Sequence, residues 1–146
     1  RYMVTRSEMR GLQGWFLNRL GCFPIDQGRP SLTTLRYAVD LLISSQQLVV
    51  FPEGKINRFG EPVKLKKGLI RLAQLASNKG LEIKVVPVGL AYSDAIPKFY
   101  GSASICFSKP IVISSDFNQS INDFNIALSK SMRSAEQSAL LAVGRG

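Results

Sequence analysis

Glu53, Gly54, Lys55 and Arg58 stand together just after a short apolar run, Leu48 to Phe51, in the stretch LVVFPEGKINRFGEP. A carboxylate at the end of a strand accepts hydrogen bonds from hydroxyls or holds a cation. Gly54 lets backbone approach a ligand closely, and Pro52 stiffens the turn that aims the next side chain. Lys55 and Arg58 supply donors suited to phosphate, and Lys64, Lys66, Lys67 and Arg71 extend the positive field. Lys66, Lys67 and Gly68 also open a predicted helix, whose free N–H groups favour an anion while the same helix disfavours cations at that end. The set suits a ligand that carries hydroxyl and phosphate together, such as a glycerol phosphate. A Pro-Gly turn with solvated lysines is the plainer reading of FPEG alone. The stretch is no P-loop, since Ile56 follows Gly54-Lys55, and no G-x-S-x-G elbow occurs. Histidine, the commonest general base, is absent from all 146 residues.

Positioning such residues needs strands that end beside helix starts. Leu48 to Phe51 is too short for a helix and apolar throughout, as expected of a strand covered on both faces in a parallel sheet. Upstream, Ser7, Met9, Leu12, Trp15, Phe16 and Leu20 predict an amphipathic helix stopped by Gly21, its apolar face read as core. Trp15 and Phe16 beside Arg10 and Arg19 also suit a helix lying on a membrane surface. GCFPIDQGRPS reads as a short extended piece and a turn, and Ser31 can cap a helix carrying Leu32, Leu35, Val39 and Leu42 that ends near Ser44. A helix from about Lys67 to Asn78, with Gly80 as its stop, leads to a buried strand, Ile83 to Leu90, interrupted by Pro87. ASICF and PIVIS add two short strands, possible neighbours through Lys109 and Pro110, and Ile121 to Val143 closes the chain as a helix. Strand, basic helix, strand is a βαβ unit, so the expected fold is α/β, a mostly parallel central sheet flanked by helices. Ligands in such folds bind beyond the carboxyl ends of the strands, where Glu53 and Gly54 fall.

Composition agrees with one domain spanning 1–146, with 117–146 as its helical end. The net charge of +9 favours an anionic partner. Nucleic acid fits the charge but not the pattern, because no RRM, helix-turn-helix or zinc-finger spacing and no stacking aromatic array is present. Cys22 and Cys106 match no ligand spacing and read as reduced small hydrophobes, so no metal site is expected. No apolar run approaches the length of a bilayer span.

VVFPEGKINR, GCFPIDQGRP upstream and VVPVGL downstream together resemble three of the four sequence blocks of the glycerolipid acyltransferases of the 1-acylglycerol-3-phosphate acyltransferase type, over about Tyr2 to Ser114. The resemblance implies a glycerol-3-phosphate acyltransferase-like fold. It also implies transfer of an acyl group from acyl-CoA or acyl carrier protein to a lysophospholipid hydroxyl, with no other cofactor, at the cytoplasmic face of a membrane. By position, Glu53 and Gly54 match the family's acceptor-binding pair, Phe51 and Pro52 shape that turn, and Gly21, Ile25 and Asp26 match its G-x-x-x-I-D-R block. Gln27 stands where that block has its phosphate-binding Arg, and Arg29 is the candidate replacement. Lys55 or Arg58 stands in for the cation that usually follows FPEG, and Pro87 matches the last block, assigned to acyl-chain or structural roles. The family's His-x-x-x-x-Asp block, which supplies the general base, has no counterpart, so these residues are expected to be inactive alone and to belong to a longer enzyme whose N-terminal part they lack. A non-catalytic lipid- or phosphate-binding domain at a membrane surface is the alternative.

Overall fold

In a computed structural model, the structure describes residues 1–26, 28, 30–54, 65–114 and 121–145. They fall into two compact units, the first drawing on 1–54 and 65–83, the second on 84–113 and 121–145. Lys55, Arg58, Gln27 and Arg29 lie outside the described residues.

In the first unit, strand β1 (Tyr2–Thr5) pairs in parallel with β2 (Cys22–Ile25), Met3 opposite Phe23. On its other side β1 meets the strand predicted at Leu48–Phe51: the Val49 N–H donates to the Arg1 carbonyl at 2.8 Å, and the Met3 N–H to the Val49 carbonyl at 3.0 Å. Only one bridge forms there, and burial alternates, with Leu48 and Val50 on the core while Val49 and Phe51 are exposed. The apolar run therefore covers one face, not the two expected of it.

Helix α2 (Leu32–Ile43) begins as predicted at Ser31, whose hydroxyl accepts from the Thr34 N–H at 3.1 Å, satisfying one of the donors that a helix start leaves open. It packs against α3 (Lys67–Ser77), and Leu35, Val39 and Leu72 join Met3 and Phe23 in one core. The helix predicted from Ser7 is instead two pieces. A 3-10 turn at Arg6–Glu8 precedes helix α1 (Gly11–Arg19), whose one buried residue is Gly14. A Cβ at Gly14 would sit 2.4 Å from the Met9 carbonyl carbon, so the turn folds back on the helix where a larger residue cannot fit. Trp15 and Phe16 remain 59% and 57% exposed, with Leu12 and Leu20 also open, which corrects the reading of this face as core. The Arg19 guanidinium lies 4.5 Å from the centre of the Trp15 ring.

Pro87 divides the predicted strand Ile83 to Leu90 into β3 (Ile83–Val85) and β4 (Val88–Tyr92), as a residue without an N–H must. In the second unit β4 pairs antiparallel with β5 (Ala103–Phe107), while β6 (Ile111–Ile113) pairs with β3, so β5 and β6 are not neighbours. Helix α4 (Ile121–Ala142) lies on β4 and β5 through Phe124, Leu128, Ala135 and Ala139, spaced to share one face. Gly89 makes this approach possible: a Cβ there would meet the Ala135 carbonyl carbon at 2.2 Å. Among the described residues the architecture is mixed α/β, with three two-stranded sheets, β1–β2 parallel and β4–β5 antiparallel among them, and four α-helices.

Candidate functional site

The turn Phe51-Pro52-Glu53-Gly54 follows the Val49 bridge directly. The Gly54 N–H donates back to the Phe51 carbonyl at 3.2 Å, and Gly54 adopts φ +67°, a left-handed conformation open to glycine at little cost. Pro52, Glu53 and Gly54 are half-buried and Phe51 is exposed.

The chain leaves this turn and returns to it. The Lys66 N–H donates to the Pro52 carbonyl at 2.8 Å, fastening the start of α3 beside FPEG. That start has neither a side-chain cap nor an acidic residue in its first turn, and Lys66 and Lys67 are exposed on it. Ser31-capped α2 differs in this: among the described residues no side chain caps the start of α3, where the positive end of the helix dipole lies. Cations in that position are unfavourable to the helix by about 0.3–1 kcal/mol each.

A third segment reaches the same place. Pro30 Cγ is 3.5 Å from the position of a Cβ at Gly68, which brings the end of GCFPIDQGRP against the first turn of α3. Within that segment Asp26 follows β2 and its Oδ1 accepts the Gly28 N–H at 3.0 Å. Gly21, at φ +80°, ends α1 and turns the chain into β2, its carbonyl accepting the Tyr2 N–H at 3.3 Å. The first unit thus gathers FPEG, the start of α3 and Pro30. Gly21 sits at the opposite end of β2, in a backbone role. Pro87 is buried in the second unit, its carbonyl accepting the Ser108 N–H at 2.9 Å. The cationic helix start is legible in the sequence, whereas the packing of Pro30 on it is signalled there by no more than the small residue at 68.

Half-buried Glu53 and left-handed Gly54 thus stand beside the cationic start of α3 in a mixed α/β chain. The family model described as Acyltransferase matches residues 1–91, and the chain belongs to that family. It is 32% identical over 76 residues to the 1-acyl-sn-glycerol-3-phosphate acyltransferase of Streptococcus pneumoniae (strain ATCC BAA-255 / R6), covering 51% of this chain and 25% of that protein. With the 1-acyl-sn-glycerol-3-phosphate acyltransferase of Bacillus subtilis (strain 168) it shares 32% identity over 62 residues, 42% of this chain and 30% of that protein. The chain therefore spans between a quarter and a third of the length of these curated relatives. No solved structure matches.

Proposed function

We propose that this domain serves acyl transfer from acyl-CoA or acyl carrier protein to the free hydroxyl of 1-acylglycerol-3-phosphate, giving phosphatidic acid in phospholipid biosynthesis. The observation that carries the reading is the 2.8 Å bond from the Lys66 N–H to the Pro52 carbonyl, which sets a cationic, uncapped helix start against the FPEG turn. Glu53 accepts the acceptor's glycerol hydroxyl and Gly54 admits it, with Phe51 and Pro52 shaping the turn. The phosphate is held by the start of α3 together with Lys55 or Arg58, and by Arg29 in place of the family arginine at Gln27. Gly21 and Asp26 set the path of that second block, and Pro87 has the last block's acyl-chain or structural role.

In the reaction the acceptor oxygen attacks the thioester carbonyl carbon, the C–S bond breaks, and the hydroxyl proton passes through a base to the leaving thiolate. With no histidine among these residues, the base comes from a His-x-x-x-x-Asp block elsewhere in a longer protein. In that protein residues 1–146 form one domain, in which the parallel ladder of β1, β2 and Val49 continues into a mostly parallel sheet. No helix among the described residues is long and apolar enough to cross a membrane. Attachment is peripheral, at the cytoplasmic face, and the exposed Leu12, Trp15, Phe16 and Leu20 of α1 support a membrane-contacting surface. The same face would serve a non-catalytic lipid-binding domain, and the two readings separate on the histidine block.

The test is acyl transfer by the full-length protein with Glu53→Ala and Gly54→Leu. Each should lower kcat/KM at least about a hundredfold, as loss of a charge-assisted contact made at the reacting hydroxyl does. Unaltered activity of Glu53→Ala in a protein that carries the histidine block would end the role given to Glu53.

A further inference from the structure

The loop joining β4 to β5, Ser93–Ser102, presents three large apolar side chains to solvent: Ile96, Phe99 at 90% exposure and Tyr100 at 98%. It begins beyond residue 91, where the match to the acyltransferase family ends. Its order comes from its own hydrogen bonds. The Ser93 N–H donates to the Ser102 carbonyl at 2.9 Å, the Ser102 N–H to the Ser93 hydroxyl at 3.1 Å, and the Gly101 N–H to the Lys98 carbonyl at 3.0 Å. Tyr100 holds φ +69°, a conformation that a bulky aromatic residue adopts only at a cost. Phe99 and Tyr100 meet edge to face, their centroids 5.0 Å apart. A closed, braced loop thus spends backbone strain to display an aromatic pair that burial would otherwise claim.

We infer that this loop is a wedge that enters the headgroup layer of an anionic lipid surface through Ile96, Phe99 and Tyr100. Tyrosine and phenylalanine at a convex tip suit that layer, where a ring is half in hydrocarbon and a hydroxyl stays wet. The charged groups of the tip are matched in advance: the Lys98 ammonium donates to Asp94 Oδ1 at 2.6 Å and the Ser93 hydroxyl to Oδ2 at 3.2 Å. These bonds hold the Asp94 carboxyl below its usual range, so the pair enters the interface as a neutral unit. At the base, the Arg145 guanidinium donates to the Tyr92 carbonyl at 2.9 Å, placing a cation where lipid phosphates would lie. The net charge of +9 draws the whole chain to an anionic surface. The choice of lipid as occupant rests on the lysophospholipid reading above, but the wedge is tested without acyl transfer.

Trp15 is the single tryptophan of residues 1–146, so Trp15→Phe with Phe99→Trp in these residues puts their one indole on the tip. On addition of phosphatidylglycerol vesicles carrying brominated acyl chains, its emission should shift to the blue and be quenched. Phe99→Ser with Tyr100→Asn, an asparagine being tolerant of positive φ, should keep the thermal transition and lower the vesicle partition coefficient at least about tenfold. Three results would overturn the wedge: indole emission at 99 unaffected while the protein sediments with the vesicles, no sedimentation with anionic vesicles at all, or a double variant that dissolves a dimer in ultracentrifugation yet still partitions normally. Loss of acyl transfer with the wedge intact would instead count against the catalytic reading alone.

Discussion

Gly68 tests the convergence of the site's two nearest segments. A methyl group there would meet Pro30 Cγ at 3.5 Å, ordinary van der Waals contact, and Gly68 does not need a positive φ. Gly68→Ala should therefore gain from the lower entropy of the unfolded chain and the better helix propensity of alanine, about 0.5–1 kcal/mol, a rise in Tm of roughly 2–4 °C. Gly68→Leu extends past the 3.5 Å clearance and must push the Pro30 loop away, an overpacking cost of about 1–3 kcal/mol. Urea unfolding measures both. The loop displacement should be coupled: Pro30→Ala in the Gly68→Leu background should recover part of the loss, with an interaction energy of about 0.5–3 kcal/mol in the double-mutant cycle. In the acyl-transfer assay proposed above, Gly68→Leu should also raise KM for the acceptor while Gly68→Ala leaves it near the starting value. A Gly68→Ala variant destabilised by more than about 1 kcal/mol, or an additive double mutant, would refute the packing of Pro30 on α3.

Lys66→Glu and Lys67→Glu should each stabilise α3 by about 0.3–1 kcal/mol through its dipole while weakening binding of glycerol 3-phosphate, read by calorimetry in the full-length protein; movement of both quantities in the same direction would count against an anion site there. Gly89→Ala should destabilise the second unit by about 3 kcal/mol or more in urea unfolding, because its Cβ meets backbone of α4 and not a side chain that can swing away. Ser31→Ala should cost about 1 kcal/mol by loss of the α2 cap, measured the same way. Asp94 is held ionised by Lys98, so its contribution is present above its unfolded value of 3.8 and fades as pH falls through the lower folded value; the carboxyl resonance should titrate below 3.8, and Lys98→Met should move it back up.

The elements with strong local signals were legible in the sequence. Ser31 capping an apolar repeat placed α2, and Gly80 placed the end of α3 at φ +72°. The FPEG turn and the cationic start of α3 were also readable, because Pro, Gly and paired lysines act locally. What failed depended on partners distant in the chain. Tyr2–Thr5 carries little strand signal of its own and becomes β1 only by pairing with β2 and Val49. The α1 face was read as core because Leu12, Trp15 and Phe16 recur at helical spacing, but periodicity says which side of a helix is apolar, not what covers it. The βαβ reading matched strand, helix and strand in order, yet β3 found β6 as its neighbour, a choice no local pattern encodes. The aromatic tip at Phe99 and Tyr100 escaped notice because loops are expected to be polar and no spacing rule covers them.

The bond from Lys66 to Pro52 also closes a ring of backbone whose two ends are fixed while residues 53–65 lie between them. The entropy of closing such a loop grows only with the logarithm of its length, so each doubling adds about 0.6 kcal/mol. A change in the number of residues between these two bonded ends therefore adds little closure entropy.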